Sequence, residues 1–353
     1  MSRFLQSRLS EMTAYTPGEQ PRDKQYIKLN TNESPYPPSP LVLAAIDRES
    51  VCSLRLYCDP TADRLKEALA EAYGVQKNEV FVGNGSDEIL NFAFMAYGER
   101  GVAYTDITYG FYEVFAELHG LSSTVIPLKE DFTLNANAFI GLKKLIVLAS
   151  PNAPTGIELS LEEVEHILVG NPDSVILLDQ AYVDFGGTAF YKLYKKYKNL
   201  LTIHTFSKSR SLAGGRLGFA IGNRELIADL EKIKYATNPY NVNTLTQMAG
   251  IASLKDSGYY EENARLIVKT REKTAEDLRK LGFTVLPSKA NFLFASHKKK
   301  EGEELYLSLK ERGILVRHFK KPRIDRYIRI TVGTPQEMQI FTEEIAKIIG
   351  EKE

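Results

Sequence analysis

Lys208 lies in the run Thr205-Phe206-Ser207-Lys208-Ser209-Arg210-Ser211, directly after the β-rich stretch Leu200 to His204, and Arg216 follows eight positions later among glycines. A lysine held beside a buried ligand can shed its proton and act as a Schiff-base nucleophile, then as a proton carrier. Most lysines are solvated surface cations, so that reading needs partners elsewhere. Asp179 closes the apolar run Val175 to Leu178 and heads Asp179-Gln180-Ala181-Tyr182. A carboxylate placed there is at least partly buried and needs a positive partner, since stranding one costs roughly 3–5 kcal/mol; capping a helix is the plainer alternative. In Gly83-Asn84-Gly85-Ser86-Asp87-Glu88 the glycines let the backbone approach a ligand, and Ser86 or Asp87 can cap the next helix. The free N–H groups at that helix start attract an anion such as phosphate. An ordinary capped turn accounts for the same residues. Tyr109 offers a ring that can stack on a flat ligand, or simply pack. The turn Ser150-Pro151-Asn152-Ala153-Pro154-Thr155-Gly156 leaves Asn152 and Thr155 as hydrogen-bonding groups, or is a plain loop.

These segments share one property: each follows a candidate strand. Short apolar runs at Val80 to Val82, Val102 to Tyr104, Thr124 to Pro127, Leu145 to Ala149, Val175 to Leu178, Leu201 to Thr205 and Leu217 to Ile221 alternate with helical patterns such as Phe111 to His119 and Leu161 to Leu168. Continuous apolar strands suit a sheet buried on both faces, and strand–helix alternation predicts an α/β fold with an open, mostly parallel sheet flanked by helices. Ligands then gather beyond the carboxyl ends of the strands. From about Asn243 the pattern changes to helices through Leu254, Tyr259 to Leu281, Gly302 to Arg312 and Pro335 to Ile349, with strands at Asn291 to Ala295, Ile314 to Arg317 and Tyr327 to Val332. This predicts a smaller α+β domain. The division expected is a Pro-rich N-terminal arm over 1–35 that joins the small domain, a large ligand-binding domain over 36–245, and the small domain over 246–353.

The chain as a whole narrows the partners. Lys plus Arg and Asp plus Glu are both 45 in 353 residues, so no net field gathers nucleic acid or anionic membrane. No run approaches the roughly 20 apolar residues of a membrane span, and the N-terminus does not read as a secretory signal. Cys52 and Cys58 match neither a disulfide framework nor a zinc spacing, which fits a reducing cytoplasm, and no metal is expected. A small molecule is the expected ligand.

The ordered set of phosphate cradle, aromatic ring, carboxylate and lysine with arginine suits pyridoxal 5′-phosphate. That cofactor needs an anion site, a stacking partner, a carboxylate for its ring nitrogen and an aldehyde-binding lysine.

With those residues in place, the chain resembles the fold-type I, class I/II aminotransferases over nearly its whole length. The likeness runs from Tyr15-Thr16-Pro17-Gly18 and Lys28-Leu29-Asn30-Thr31-Asn32-Glu33, through Gly83 to Glu88 and Asn238-Pro239-Tyr240-Asn241-Val242-Asn243, to Arg329-Ile330-Thr331-Val332-Gly333-Thr334. Within the family it is most similar to the branch acting on histidinol phosphate.

The resemblance implies that Lys208 carries the cofactor and moves the substrate proton, that Asp179 pairs with the ring nitrogen, and that Tyr182 bonds the ring oxygen. Tyr109 would stack on the ring, with Asn152 near its oxygen. Gly85, Ser86, Asp87, Thr205, Ser207 and Arg216 would hold the phosphate. Tyr57 would reach the phosphate of a neighbouring subunit, implying a homodimer with shared sites. Arg329, Arg317 and Tyr15, with Asn32 close by, would receive the substrate's anionic groups. The chain departs from the family pattern at Ala153, where an asparagine is usual, and at Gln180 and Ile107. An aromatic-amino-acid aminotransferase or a threonine-phosphate decarboxylase on the same fold remains an alternative. A ligand-sensing module of a transcription regulator is a further one, against which the pattern beginning by Tyr15 leaves no expected room for a DNA-binding domain.

Overall fold

The computed structural model describes residues 2–350; residues 1 and 351–353, at the ends of the expected arm and small domain, lie outside the described residues. Ile27–Lys28 forms β1. Seven strands then make the main sheet: Val80–Asn84 (β2), Val102–Thr105 (β3), Ser123–Ile126 (β4), Leu145–Ala149 (β5), Ile176–Asp179 (β6), Leu200–Thr205 (β7) and Leu217–Gly222 (β8). Their order is β2-β8-β7-β6-β5-β3-β4. From β7 to β4 all neighbours run parallel, while β8 is antiparallel to both β7 and β2.

The continuous apolar strands are buried on both faces, as a helix-covered sheet requires. Side chains alternate along each strand, so Ile146 and Leu148 of β5 join one core with Leu65, Leu69 and Phe219, while Leu145 and Val147 join another with Phe81, Ile89 and Leu201. Each such side chain, shielded completely, contributes roughly 1.5–3 kcal/mol. The helix Gly85–Tyr97 follows β2 directly, and Phe111–His119 follows β3 after a short turn and stops at Gly120 in the left-handed conformation (φ +65°).

A second, antiparallel sheet contains Phe283–Val285 (β9) and Phe292–His297 (β10). Ile314–Leu315 (β11) pairs with β1, Arg317–His318 (β12) with Tyr327–Thr331 (β13), and the four-stranded order is β12-β13-β10-β9. Its core joins Leu293, Ile328 and Ile330 to Ile267 and Leu278 of the helix Ser257–Lys280 and Phe341 of the helix Pro335–Gly350.

Two expectations change. The single strand expected over Ile314 to Arg317 is two strands in different sheets. Ile314 and Leu315 register with Ile27 and Lys28 of β1, then at buried Val316 the chain switches partners, so that Arg317 of β12 pairs with Arg329 of β13. The helix Arg224–Thr237, not expected from its charge-rich sequence, is held by an Asn223 side-chain cap and by buried Ile227, Leu230 and Lys234. No helix among the described residues is long and apolar enough to cross a membrane.

Candidate active site

Lys208 stands just past the end of β7 and lines two adjoining cavities, of about 350 and 460 Å³. Thr31, Tyr109, Ala153 and Tyr182 line both as well. Its Nζ reaches toward the Thr31 carbonyl at 3.5 Å and lies 5.8 Å from the centre of the Tyr182 ring. The lysine is thus the junction between two chemically different spaces.

In the smaller cavity the end of β6 presents Asp179. Its Oδ1 accepts from the Ala181 N–H at 3.1 Å and its Oδ2 from the Tyr112 hydroxyl at 2.9 Å. Burial pushes this carboxyl up to about 6, against those two hydrogen bonds and the Lys208 charge, which pull it down. No cation among the described residues forms an ion pair with it. Tyr112 is itself driven well above the usual phenol range by burial and so remains a neutral donor.

At the other end of this cavity lies the start of the helix Gly85–Tyr97, whose cap residue Asn84 makes no side-chain capping bond. Ser86, Asp87, Thr205, Ser207 and Arg216 line the wall beside it. Gly85 has φ +76°, and a Cβ there would meet Arg216 Nη2 at 2.5 Å; a Cβ on Gly218 would meet the Ser86 nitrogen at 2.5 Å. The glycines keep backbone and guanidinium close to one small space rich in N–H donors, as an anion requires. Asp87 is not the helix cap expected of it, nor is Ser86. The Asp87 carboxylate instead joins the Tyr109 hydroxyl (2.9 Å) to Arg216 Nη2 (2.9 Å), orienting both.

The larger cavity brings together residues from the two ends of the chain. Arg317 donates to the carbonyls of Thr16 and Pro17 at 3.1 and 3.2 Å, and Arg329 to that of Asn30 at 2.9 Å. The Arg329 guanidinium sits between the rings of Phe292 and Phe319, and its buried Nε has no hydrogen-bond partner. Burial lowers its pKa. Among the described residues neither arginine is paired with a carboxylate, so this space carries positive charge that suits an anionic group. Tyr15 stacks on Phe111 with ring centres 4.3 Å apart, at the same wall. Asn32 donates to the Tyr182 hydroxyl at 2.9 Å.

Two expected residues lie elsewhere. Asn152 lines neither cavity, because its amide is taken up by the Ile107 carbonyl, Thr155 and Thr108, at 3.0 to 3.1 Å; Ala153 is the residue that faces the site. Tyr57 is 83 % exposed and stacks on Tyr240, away from this chain's own cavities. Sequence reasoning passed over Tyr112, Thr31 and Lys321. Tyr112 carried a faint signal, three residues after Tyr109 at the opening of a helix.

The donor set fits pyridoxal 5′-phosphate. A buried carboxylate lacking a cation suits a protonated ring nitrogen, an uncapped helix start with Arg216 suits the phosphate, and a lysine lies between them.

Residues 24–345 match the family described as aminotransferase class I and II, and the chain belongs to that family. Its members use pyridoxal phosphate as cofactor. The histidinol-phosphate aminotransferase of Brachyspira hyodysenteriae is 52 % identical over 99 % of both chains, and that of Clostridium acetobutylicum 47 % identical over 99 % of this chain and 100 % of the other. In fold, the chain matches the Sinorhizobium meliloti histidinol-phosphate aminotransferase, solved in complex with pyridoxal 5′-phosphate, with a TM-score of 0.87 and 22 % identity over 99 % of this chain and 98 % of that one.

Proposed function

We propose that the chain exchanges an amino group between L-histidinol phosphate and 2-oxoglutarate, and that it works in the cytoplasm as a homodimer. Bound pyridoxal phosphate supplies the aldehyde that links to an amine and the ring that draws electrons from the α-carbon. Lys208 would hold the cofactor until the substrate amine takes its place; its freed Nζ would then take the α-proton from the amino donor and, in the second half-reaction, supply the α-proton of the newly formed amine. Asp179, ionised, would keep the ring nitrogen protonated, Tyr182 would donate to the ring oxygen, and Tyr109 would offer its ring as a stacking partner. Gly85, Ser86 and Asp87 hold the phosphate through backbone N–H groups at the helix start, with Thr205, Ser207 and Arg216. Asn152 is not assigned a part here, because its amide is engaged by Thr155 of its own turn and by Ile107 and Thr108 of the segment after β3.

In the larger cavity Arg329 takes the carboxylate of glutamate or 2-oxoglutarate. Arg329, Arg317 and Tyr15 take the phosphate of histidinol phosphate, with Asn32 beside them. Tyr57 reaches the phosphate group of the partner's cofactor, which accounts for its exposure in a single chain. Residues 1–35 act as an arm on the small domain 246–353, and 36–245 as the cofactor domain.

The observation that carries this reading is the place of Lys208, which borders both the cavity holding the cation-deficient Asp179 and the cavity holding two guanidinium groups without carboxylate partners. The test is a comparison of kcat/KM for histidinol phosphate, phenylalanine and threonine phosphate on purified, cofactor-loaded protein. A preference for histidinol phosphate is expected; a large preference for either of the others overturns the choice of substrate.

A further inference from the structure

Asn32 has φ +56°, a left-handed backbone, and is 2 % exposed. Its polar atoms are all engaged. The backbone N–H donates to Thr331 Oγ1 at 2.9 Å, its Oδ1 accepts from the same hydroxyl at 3.0 Å, and its backbone carbonyl accepts from Asn291 Nδ2 at 3.0 Å. A threonine hydroxyl has one proton. Oγ1 accepts from the Asn32 N–H, and Oδ1 is the acceptor of its one proton; turning the amide would strand that proton, which fixes which end of the amide is which. The Nδ2 end therefore faces the Tyr182 hydroxyl, 2.9 Å away, and an amide nitrogen only donates. Tyr182 accepts that bond, so its own proton is left over, on a side chain that lines both cavities.

We propose that Thr331 is a positioning residue whose hydroxyl locks the Asn32 amide, so that the Tyr182 proton is directed into the cavity toward the ring oxygen of the cofactor. This rests on the reading of the cofactor site given above. Thr331 is buried in β13, two residues beyond Arg329, and makes no contact with substrate in this scheme. One strand thereby carries both the anion-binding arginine and the group that sets the polarity of the tyrosine.

The test is a pH titration of the visible absorption of the Lys208-bound cofactor in the holoenzyme. Around Tyr182 stand Lys208, Arg329, Tyr15, Tyr109 and Tyr112, with Asp179, Asp87, Glu33, Arg216, Arg317 and Lys321 on the walls of the cavities it lines, and none is altered by a change at Thr331. In Thr331→Val the shape is kept but the amide is free to turn, and its Oδ1 then captures the Tyr182 proton. The ring oxygen loses a donor, its negative charge is less shared, and the adjoining Lys208 nitrogen keeps its proton to higher pH. The midpoint is expected to rise by about 0.5–1 pH unit, the size of one hydrogen bond. In the same variant kcat should fall more than KM rises, and Thr331→Ser should restore the wild-type midpoint. Thr331→Ala removes the same hydroxyl and gives the same rise should the valine variant not fold. Tyr182→Phe sets the scale. A midpoint that moves in Tyr182→Phe but stays at the wild-type value without the Thr331 hydroxyl overturns the positioning role. A midpoint unmoved in Tyr182→Phe overturns instead the assignment of Tyr182 on which it rests.

Discussion

The Tyr112 hydroxyl donates to Asp179 Oδ2 at 2.9 Å, joining the start of the helix after β3 to the end of β6 inside the buried face of the sheet. This bond favours the ionised carboxylate, which burial opposes. Without it the carboxyl protonates more readily and its hold on a ring nitrogen weakens. Tyr112→Phe should therefore raise the dissociation constant for pyridoxal phosphate about tenfold or more, the effect of one hydrogen bond to a charged group. Fluorescence titration of the cofactor-free protein measures it, and an unchanged constant removes Tyr112 from the site.

The pH dependence of folding gives a second check on Asp179. Its carboxyl is raised from an ordinary 3.8 to about 6 in the folded chain, so between those values the folded form binds more protons than the unfolded form. Stability of the cofactor-free protein must then fall as pH rises through that window and stay lower above it. Asp179→Asn should remove the penalty, stabilising cofactor-free protein at pH 8 by up to about 3 kcal/mol while leaving it unchanged near pH 3. Denaturant unfolding at the two pH values reads the difference, and equal stabilities at pH 8 contradict the buried charge.

Gly85→Ala should spare the fold and cripple the phosphate cradle. The position has φ +76°, and the added Cβ would come within 2.5 Å of Arg216 Nη2, so the guanidinium must move off. Cofactor affinity is expected to drop at least about tenfold, as for loss of a charge-assisted bond. Far-UV circular dichroism should match the parent, and retention of full affinity would mean the phosphate lies elsewhere.

Arg317 and Arg329 should separate by substrate. Arg317→Ala is expected to cut kcat/KM for histidinol phosphate roughly 10–100-fold, the worth of a hydrogen bond to a charged group, and to affect glutamate far less. Arg329→Ala should damage both. Equal loss on both substrates in Arg317→Ala counts against one pocket serving two anions.

Complementation tests the role of Tyr57. If the proposed dimer shares its sites, mixing Tyr57→Ala subunits with Lys208→Ala subunits should regenerate activity, because one site of each hybrid then has both residues intact. No recovery after mixing and refolding argues that Tyr57 serves no neighbouring site.

Lys208, Asp179, Tyr109 and Ser86 were legible because each follows an apolar run, and strands laid parallel in one sheet end on the same side. β5 and β7 pair within a residue of the lengths their hydrophobicity suggested, whereas β6 is shifted by one, so that Asp179, expected just past the strand, is its last paired residue. Asp87 was legible as a polar residue at a helix start but not as the link between Tyr109 and Arg216, since its partners lie 22 and 129 positions away. Asn152 looked available in its turn, and only the packed turn revealed Ile107, Thr108 and Thr155 as its partners.

By itself, then, the order of residues determined the sheet, its carboxyl-end polar groups and the chemistry they can support, because these follow from local hydrophobic pattern and side-chain type. Tertiary structure decided what shares a cavity. Thr16 and Pro17 meet Arg317 across 301 and 300 positions, and Asn32 meets Thr331 across 299. Contacts of that span depend on how the sheets and the N-terminal segment pack together, and the burial that tunes Asp179 and the hydrogen bonds that orient Tyr182 exist only once they have packed.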